Sequence, residues 1–270
     1  MNSIDNVFRD LSEKEEGVFI PFITLGDPNL DYSLKLVKVL EENGADIIEL
    51  GIPFSDPIAD GPTIQASSQR ALNIGMNPDI AFELVERIRK FTNIPLIFLT
   101  YYNLVLQRGL SKFFRDAKKS GVQGIVIPDL PIEEATPALD FAKKNDVHII
   151  FMVTPTTNEA RFHKILEVAG GFIYFMAVLG TTGARKNLEK ITAESLLRLL
   201  PITNLPIAVG FGISKAEHIR ELLKIGAHGM IVGSAIIKIL ENNLNDLDNA
   251  LEKIGNYIKE LKNATKKEGL

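Results

Sequence analysis

The sequence predicts an α/β fold: a single closed (β/α)8 TIM barrel over residues 1–270, with an extra helix at its N-terminal end. Three observations lead there. Eight short runs rich in Ile, Val and Phe recur along the chain. They are near-continuous rather than alternating, the pattern of parallel strands covered on both faces. The 270 residues give about 34 per run, the size of one βα unit, and a doubly wound sheet usually has fewer strands.

Each element follows in order. "IDNVFRDL" (4–11) carries Ile4, Val7, Phe8 and Leu11 on one side and reads as the extra helix, placed to cover the barrel bottom. The first strand is "VFIPFITLG" (18–26), and Leu30, Leu34 and Val37 share the face of the helix after it. The second is "ADIIELG" (45–51). Ile80, Leu84 and Ile88 form a helix face before the third, "IPLIFLTYY" (94–102). Then come "GIVIPDL" (124–130), "HIIFMVTP" (148–155), "GFIYFMAV" (171–178), "PIAVGFG" (206–212) and "GMIVGSA" (229–235). Leu247, Leu251, Ile254, Ile258 and Leu261, spaced four and three apart, form the stripe of a final helix. No linker or low-complexity segment divides the chain.

Composition narrows the chemistry. A hydrophobic fraction of 46% and a charged fraction of 24% fit an ordinary globular protein. The net charge of −4 comes with no basic patch of the kind nucleic acid requires; the basic run at 262–267 reads as a solvated end. With no cysteine there is no disulfide, thiolate metal site or Cys nucleophile. His148, His163, His218 and His228 lack ligand-like spacing, so no metal site is expected. Residues 1–20 have no apolar signal core, and no apolar run approaches the ~20 residues of a membrane helix. The expected location is the cytoplasm, with a plastid stroma left open.

Barrel enzymes place their chemistry at the C-terminal ends of the strands. Glu49 ends the second strand and shares a face with Ile47, two residues back. Either that face points into the barrel and the acid is functional, or Glu49 is a buried acid paired with a Lys or Arg. Asp56 and Asp60 follow in a loop stiffened by Pro53, Pro57 and Pro62; such loop acids also cap turns. Glycine-rich turns end strands six to eight: "GTTGAR" (180–185), "VGFGIS" (209–214) and "VGSA" (232–235). Small residues and a helix start suit an anion, and the last two turns occupy the usual barrel phosphate position. The alternative is that Gly210, Gly212 and Gly233 only permit tight turns. Phe22, Leu99, Tyr101, Tyr174, Phe211 and Ile231 add apolar walls near the mouth. Acids, an anion cradle and aromatic walls together point to a flat apolar molecule with a phosphorylated tail.

"ELGIPFSDPIADGPTIQ" (49–65), with "GTTGAR", "VGFGIS" and "VGSAI", resembles the α chains of tryptophan synthase over nearly the whole chain. The resemblance implies a (β/α)8 barrel that cleaves indole-3-glycerol phosphate to indole and glyceraldehyde 3-phosphate, late in tryptophan biosynthesis. It implies a β-chain partner in an α2β2 assembly, with pyridoxal phosphate on the partner and no cofactor in this chain. On the matching positions it makes Glu49, Asp60 and Tyr174 catalytic. It assigns the indole pocket to Phe22, Leu99, Tyr101 and Ile231. Phosphate contacts fall to Gly183, Phe211, Gly212, Gly233 and Ser234. Thr182 would bond Asp60 when the loop after strand six closes, and Pro53 and Asp56 would meet the partner. Ala177 and Thr181 stand where many relatives have Ser and Val, both beside that loop.

For that substrate the residues have clear tasks. Indole leaves only after its C3 is protonated, and the adjacent hydroxyl must lose a proton. A carboxyl in an apolar strand end has its charged form disfavoured, which brings Glu49 near neutral pH for both transfers. Asp60 would accept a hydrogen bond from the indole N–H as positive charge develops there. Competing readings are a sugar-phosphate epimerase, an indole-glycerol-phosphate synthase, a non-enzymatic regulatory subunit and a stand-alone lyase of the same fold. The synthase needs Lys at strand ends, where this chain has none, and the intact acids argue against a purely regulatory subunit.

Overall fold

The computed structural model describes residues 2–177, 185–210 and 212–266, with side chains left out at 185–189. Among the described residues the strands are β1 (Val18–Thr24), β2 (Ile48–Gly51), β3 (Leu96–Leu99), β4 (Gly124–Val126), β5 (His148–Ile150), β6 (Met152–Val153), β7 (Ile173–Met176), β8 (Ile207–Gly210) and β9 (Gly229–Val232). The helices are α1 (Ser3–Glu13), α2 (Leu30–Glu42), α3 (Pro62–Asn73), α4 (Pro78–Ile88), α5 (Tyr102–Arg108), α6 (Leu110–Ser120), α7 (Thr136–Lys144), α8 (Glu159–Leu166), α9 (Arg185–Leu199), α10 (Ala216–Ile225), α11 (Ser234–Glu241) and α12 (Leu247–Asn263).

All strand pairs are parallel, in the order β5-β4-β3-β2-β1-β9-β8-β7-β6. The fifth expected strand (148–155) is corrected to two: β5 pairs with β4, β6 pairs with β7, and Phe151 parts them. The two ends of the sheet are therefore one residue apart in the chain. The nearly closed barrel is joined there by covalent structure rather than by a ladder. The other runs match, with shorter ladders than the apolar runs. Tyr102 N–H donates to the Asp129 carboxylate at 2.8 Å and opens α5, and Ser234 already belongs to α11.

Strand periodicity sorts the side chains. Val18, Ile20, Phe22, Ile47, Ile97, Leu99, Val126, Ile150, Tyr174, Ala208 and Ile231 form one inner column. Phe19, Ile23, Ile48, Leu50, Phe98, Ile149, Phe175 and Met230 pack outward against the helices. The expected faces of α2 and α4 bury Val37, Leu84 and Ile88, with Leu30, Leu34 and Ile80 half-buried. Asn29 and Asn77 cap these helices by accepting from Tyr32 N–H and Ile80 N–H. In α12, Ile254, Ile258 and Leu261 are fully buried.

Helix α1 closes the floor, as its apolar face predicts. A Cβ placed on Gly124 would lie 2.9 Å from Ile4, and one on Gly229 would lie 3.2 Å from Phe8. Those glycines begin β4 and β9, so the helix sits against the N-terminal ends of the strands. Asp5 of α1 also meets the first residue of β5, His148 Nε2, at 3.1 Å. Among the described residues no helix is long and apolar enough to cross a membrane.

Candidate active site

At the opposite end of the column is a cavity of about 270 Å³. Phe22, Leu99, Tyr174 and Ile231 wall it on the barrel side. Asp60 and the start of α3 (Pro62, Thr63, Ile64) form a second side, and Gly212, Ile213, Gly233 and Ser234 a third. Pro128, Met152 and Met176 also line it. Sequence reasoning missed those three, as it did Ala59, Gly61, Thr63, Ile64 and Ile213. Counting in twos from the inward-facing Ile150 and Tyr174 reaches Met152 and Met176, and that was the available signal.

Glu49 sits in β2 opposite Phe22 of β1 and Ile97 of β3. It is wholly buried, and neither carboxyl oxygen has a hydrogen-bond partner among the described residues. The paired-acid alternative therefore fails. Loss of hydration pushes its pKa up to about 8, and the nearby Asp60 charge adds to the rise. Asp60 is itself raised by burial, while the Tyr101 hydroxyl pulls it back. Tyr174 is held well above the usual phenol range by burial and by both acids. The three groups thus share one desolvated corner. A neutral carboxyl there can give a proton, and its anion can take one, near pH 7–8.

The glycines at this end make room for rings. A Cβ on Gly51 would lie 2.7 Å from the Phe22 ring and one on Gly233 2.9 Å from it. One on Gly210 would lie 2.6 Å from the Tyr174 ring. Only Gly212 of the three candidate turn glycines needs the left-handed region, at φ +77°. Gly212, Gly233 and the N-terminal residue of α11, Ser234, converge on the cavity with small side chains, a helix N-terminus and backbone.

Tyr101 is not among the cavity walls. Its ring stacks on Phe54 at 5.2 Å, and its hydroxyl accepts from Ala59 N–H at 3.2 Å. It braces the loop that carries Asp60. Gln65 fastens the same loop by donating to the Asp60 carbonyl at 2.8 Å. Pro53 is buried outside the cavity, whereas Asp56 is exposed. Beside Asp56, Ile58 is 79% exposed, a large apolar side chain facing solvent. Thr182, Gly183 and Phe211, and Thr181 of the noted departures, lie outside the described residues. Ala177 is buried. Among the described residues no group of three acids or histidines is placed to hold a metal.

Known proteins with this sequence pattern carry the assignment further. Residues 8–266 match the family model described as tryptophan synthase alpha chain. The tryptophan synthase alpha chain of Methanocaldococcus jannaschii is 49% identical over 88% of this chain and 85% of its own. That of Methanothermobacter thermautotrophicus is 45% identical over 92% of each. A chain of the tryptophan synthase a2b2 complex of Pyrococcus furiosus superposes with a TM-score of 0.85 at 40% identity, over 91% of this chain and 98% of that one. The chain belongs to the tryptophan synthase alpha chain family, lyases that cleave indole-3-glycerol phosphate to indole and glyceraldehyde 3-phosphate.

Proposed function

We propose that Glu49 is the acid–base catalyst of this cleavage, with Asp60 and Tyr174 beside it. One observation carries the reading: a fully buried, unpartnered carboxyl with a pKa of about 8, on the inner face at the cavity end of the barrel. Protonated Glu49 gives its proton to indole C3, which makes a cationic indolenine. The Glu49 carboxylate then takes the proton of the adjacent glycerol hydroxyl. The bond between C3 and the carbinol carbon breaks, its electrons restore the indole ring, and the carbinol becomes the aldehyde of glyceraldehyde 3-phosphate. The ring itself accepts the electrons, so this chain needs no cofactor.

Asp60 accepts the indole N–H and stabilises the charge that develops on the ring. Phe22, Leu99 and Ile231 enclose the indole, and Tyr101 acts through the loop behind it. Gly183, Phe211, Gly212, Gly233 and Ser234 receive the phosphate. We read residues 1–270 as one barrel domain that works in the cytoplasm.

Asp60→Asn is expected to keep part of the turnover, since an amide oxygen still accepts the N–H bond. Asp60→Ala is expected to lose roughly 10²-fold, the scale of removing one preorganised electrostatic group. Equal activity in the two variants would rule out charge stabilisation by Asp60.

The partner is a tryptophan synthase β chain, carrying pyridoxal phosphate, in an α2β2 assembly. The exposed Ile58 beside Asp56 and Pro53 supports this loop as the contact. A β chain pressing on the loop favours Asp60 in its working position and, through a Thr182–Asp60 bond, a closed loop over substrate. By reciprocity, substrate tightens the α–β contact by the same free energy. Indole release is expected to be slow for the chain alone and faster with a β chain, and Thr182→Val is expected to remove most of that activation. Activation as strong in the variant as in the parent would exclude this route; rapid release without any β chain would indicate a stand-alone lyase.

A further inference from the structure

Helices α3 and α11 both begin at the cavity and lie against each other. The start of α3 lies two residues after Asp60, with Gly61 between; the start of α11 supplies Ser234. Their far ends meet at one cation. Arg70, eight residues beyond Pro62 and so about 12 Å along the helix, forks onto Asp27 with Nε and Nη2 each 2.7 Å from a carboxylate oxygen. Its Nη1 lies 3.8 Å from Glu241, the last residue of α11. Asp27 is 2% exposed, sits in the loop after β1, and also accepts a short hydrogen bond from Ser67 of α3. Three elements therefore meet at Arg70: its own helix after Asp60, the helix after the phosphate cradle, and the loop after a barrel strand.

We propose that Arg70 is a positioning residue for catalysis: by clamping α3 to Asp27 and to α11, it sets the separation between Asp60 and the phosphate-binding end. The proposal rests on the role of Asp60 given above. Arg70 is too far along its helix to touch substrate. A rigid fork is suited to the task because both of its bonds fix orientation as well as distance. The substrate bridges the two ends, so the spacing between them decides whether the carboxylate meets the ring N–H when the phosphate is seated. Glycerol phosphate, which has no indole, occupies the cradle alone and is indifferent to that spacing.

The test is a double-mutant cycle on the full-length chain with its β chain, with turnover counted per site titrated by glycerol phosphate. Arg70→Met is expected to lower kcat for indole-3-glycerol phosphate by on the order of 10–10²-fold, the scale of a small misplacement. Its glycerol phosphate affinity is expected to stay within about twofold of the parent. Arg70→Lys, which keeps the charge but not the fork, is expected to fall between. In an Asp60→Asn background the Arg70→Met loss is expected to shrink to a few-fold, because its target has already been altered. Losses that multiply in full would show Arg70 to be structural only and overturn the proposal while leaving the role of Asp60 intact. Parent-like turnover in Asp60→Asn alone would overturn that role and the proposal with it. If Arg70→Met does not fold, the cycle is run with Arg70→Lys under the same criteria.

Discussion

Glu49→Gln is expected to lower turnover by at least ~10²-fold while glycerol phosphate still binds with parent affinity. The amide has the shape of the acid but neither gives nor takes the proton, and Glu49 does not line the phosphate end. The same variant is expected to gain stability relative to the parent as the pH rises. Below pH 4.5 the carboxyl is protonated folded or unfolded and shifts nothing. As pH rises from there, the unfolded chain ionises while the folded site, with its pKa near 8, stays neutral. The stability present at low pH is therefore lost progressively until about pH 8, at about 1.4 kcal/mol per unit. Glutamine escapes this loss, offset in part by burying an amide without partners, about 1–3 kcal/mol. Urea unfolding of both proteins at pH 5 and pH 7.5 checks the sign: the stability of the variant minus that of the parent should rise by a few kcal/mol between them. A difference that ignores pH would mean that Glu49 is ionised in the folded state and is not the shifted acid.

Gly212→Val is expected to weaken glycerol phosphate binding by on the order of 10²-fold, the cost of losing one or two charge-assisted hydrogen bonds. Two causes act together. At φ +77° a β-branched residue is strained by roughly 1–3 kcal/mol. Any shift that relieves the strain, or the side chain itself, displaces backbone from the cavity wall that Gly212 forms. Gly75→Val is the control. Its φ of +85° imposes the same strain, yet a Cβ there meets nothing within 4 Å and the residue does not line the cavity. Both variants should lose stability, and only Gly212→Val should lose the anion. Unchanged affinity in Gly212→Val would place the phosphate elsewhere.

Much of this arrangement was legible in the sequence because it follows from periodicity. Two-residue alternation put Glu49 on the face of Ile47, and that face is the inner column. The eight apolar runs sit where the strands are, since strands covered on both faces must be apolar throughout. Their ends were not legible. The apolar character of "LTYY" or "VGSA" continues into helix starts, where capping decides the boundary: Tyr102 is held by Asp129 of the next βα loop, and Gly233 precedes α11. Nor was the break at Phe151, which is as apolar as its neighbours and is buried. Tyr101 looked like a pocket wall because it ends a strand; its ring instead turns to Phe54 in a loop 47 positions earlier. The Arg70–Asp27 fork, 43 residues apart, has no local signature, since a lone Arg on a helix reads as a solvated charge.

The floor laid by α1 has a consequence for how such a protein can change over generations. Ile4 and Phe8 belong to the same apolar column whose dryness keeps the Glu49 carboxyl neutral. A substitution that let water rise from below would move the acidity of a group at the far end of the barrel, with no contact to it. In a library of variants selected at different pH values, positions 4 and 8 are therefore expected to sort with the mouth of the barrel rather than with the outer shell. The working pH of the enzyme is then a property that selection can tune from the underside, leaving every residue that meets substrate in place.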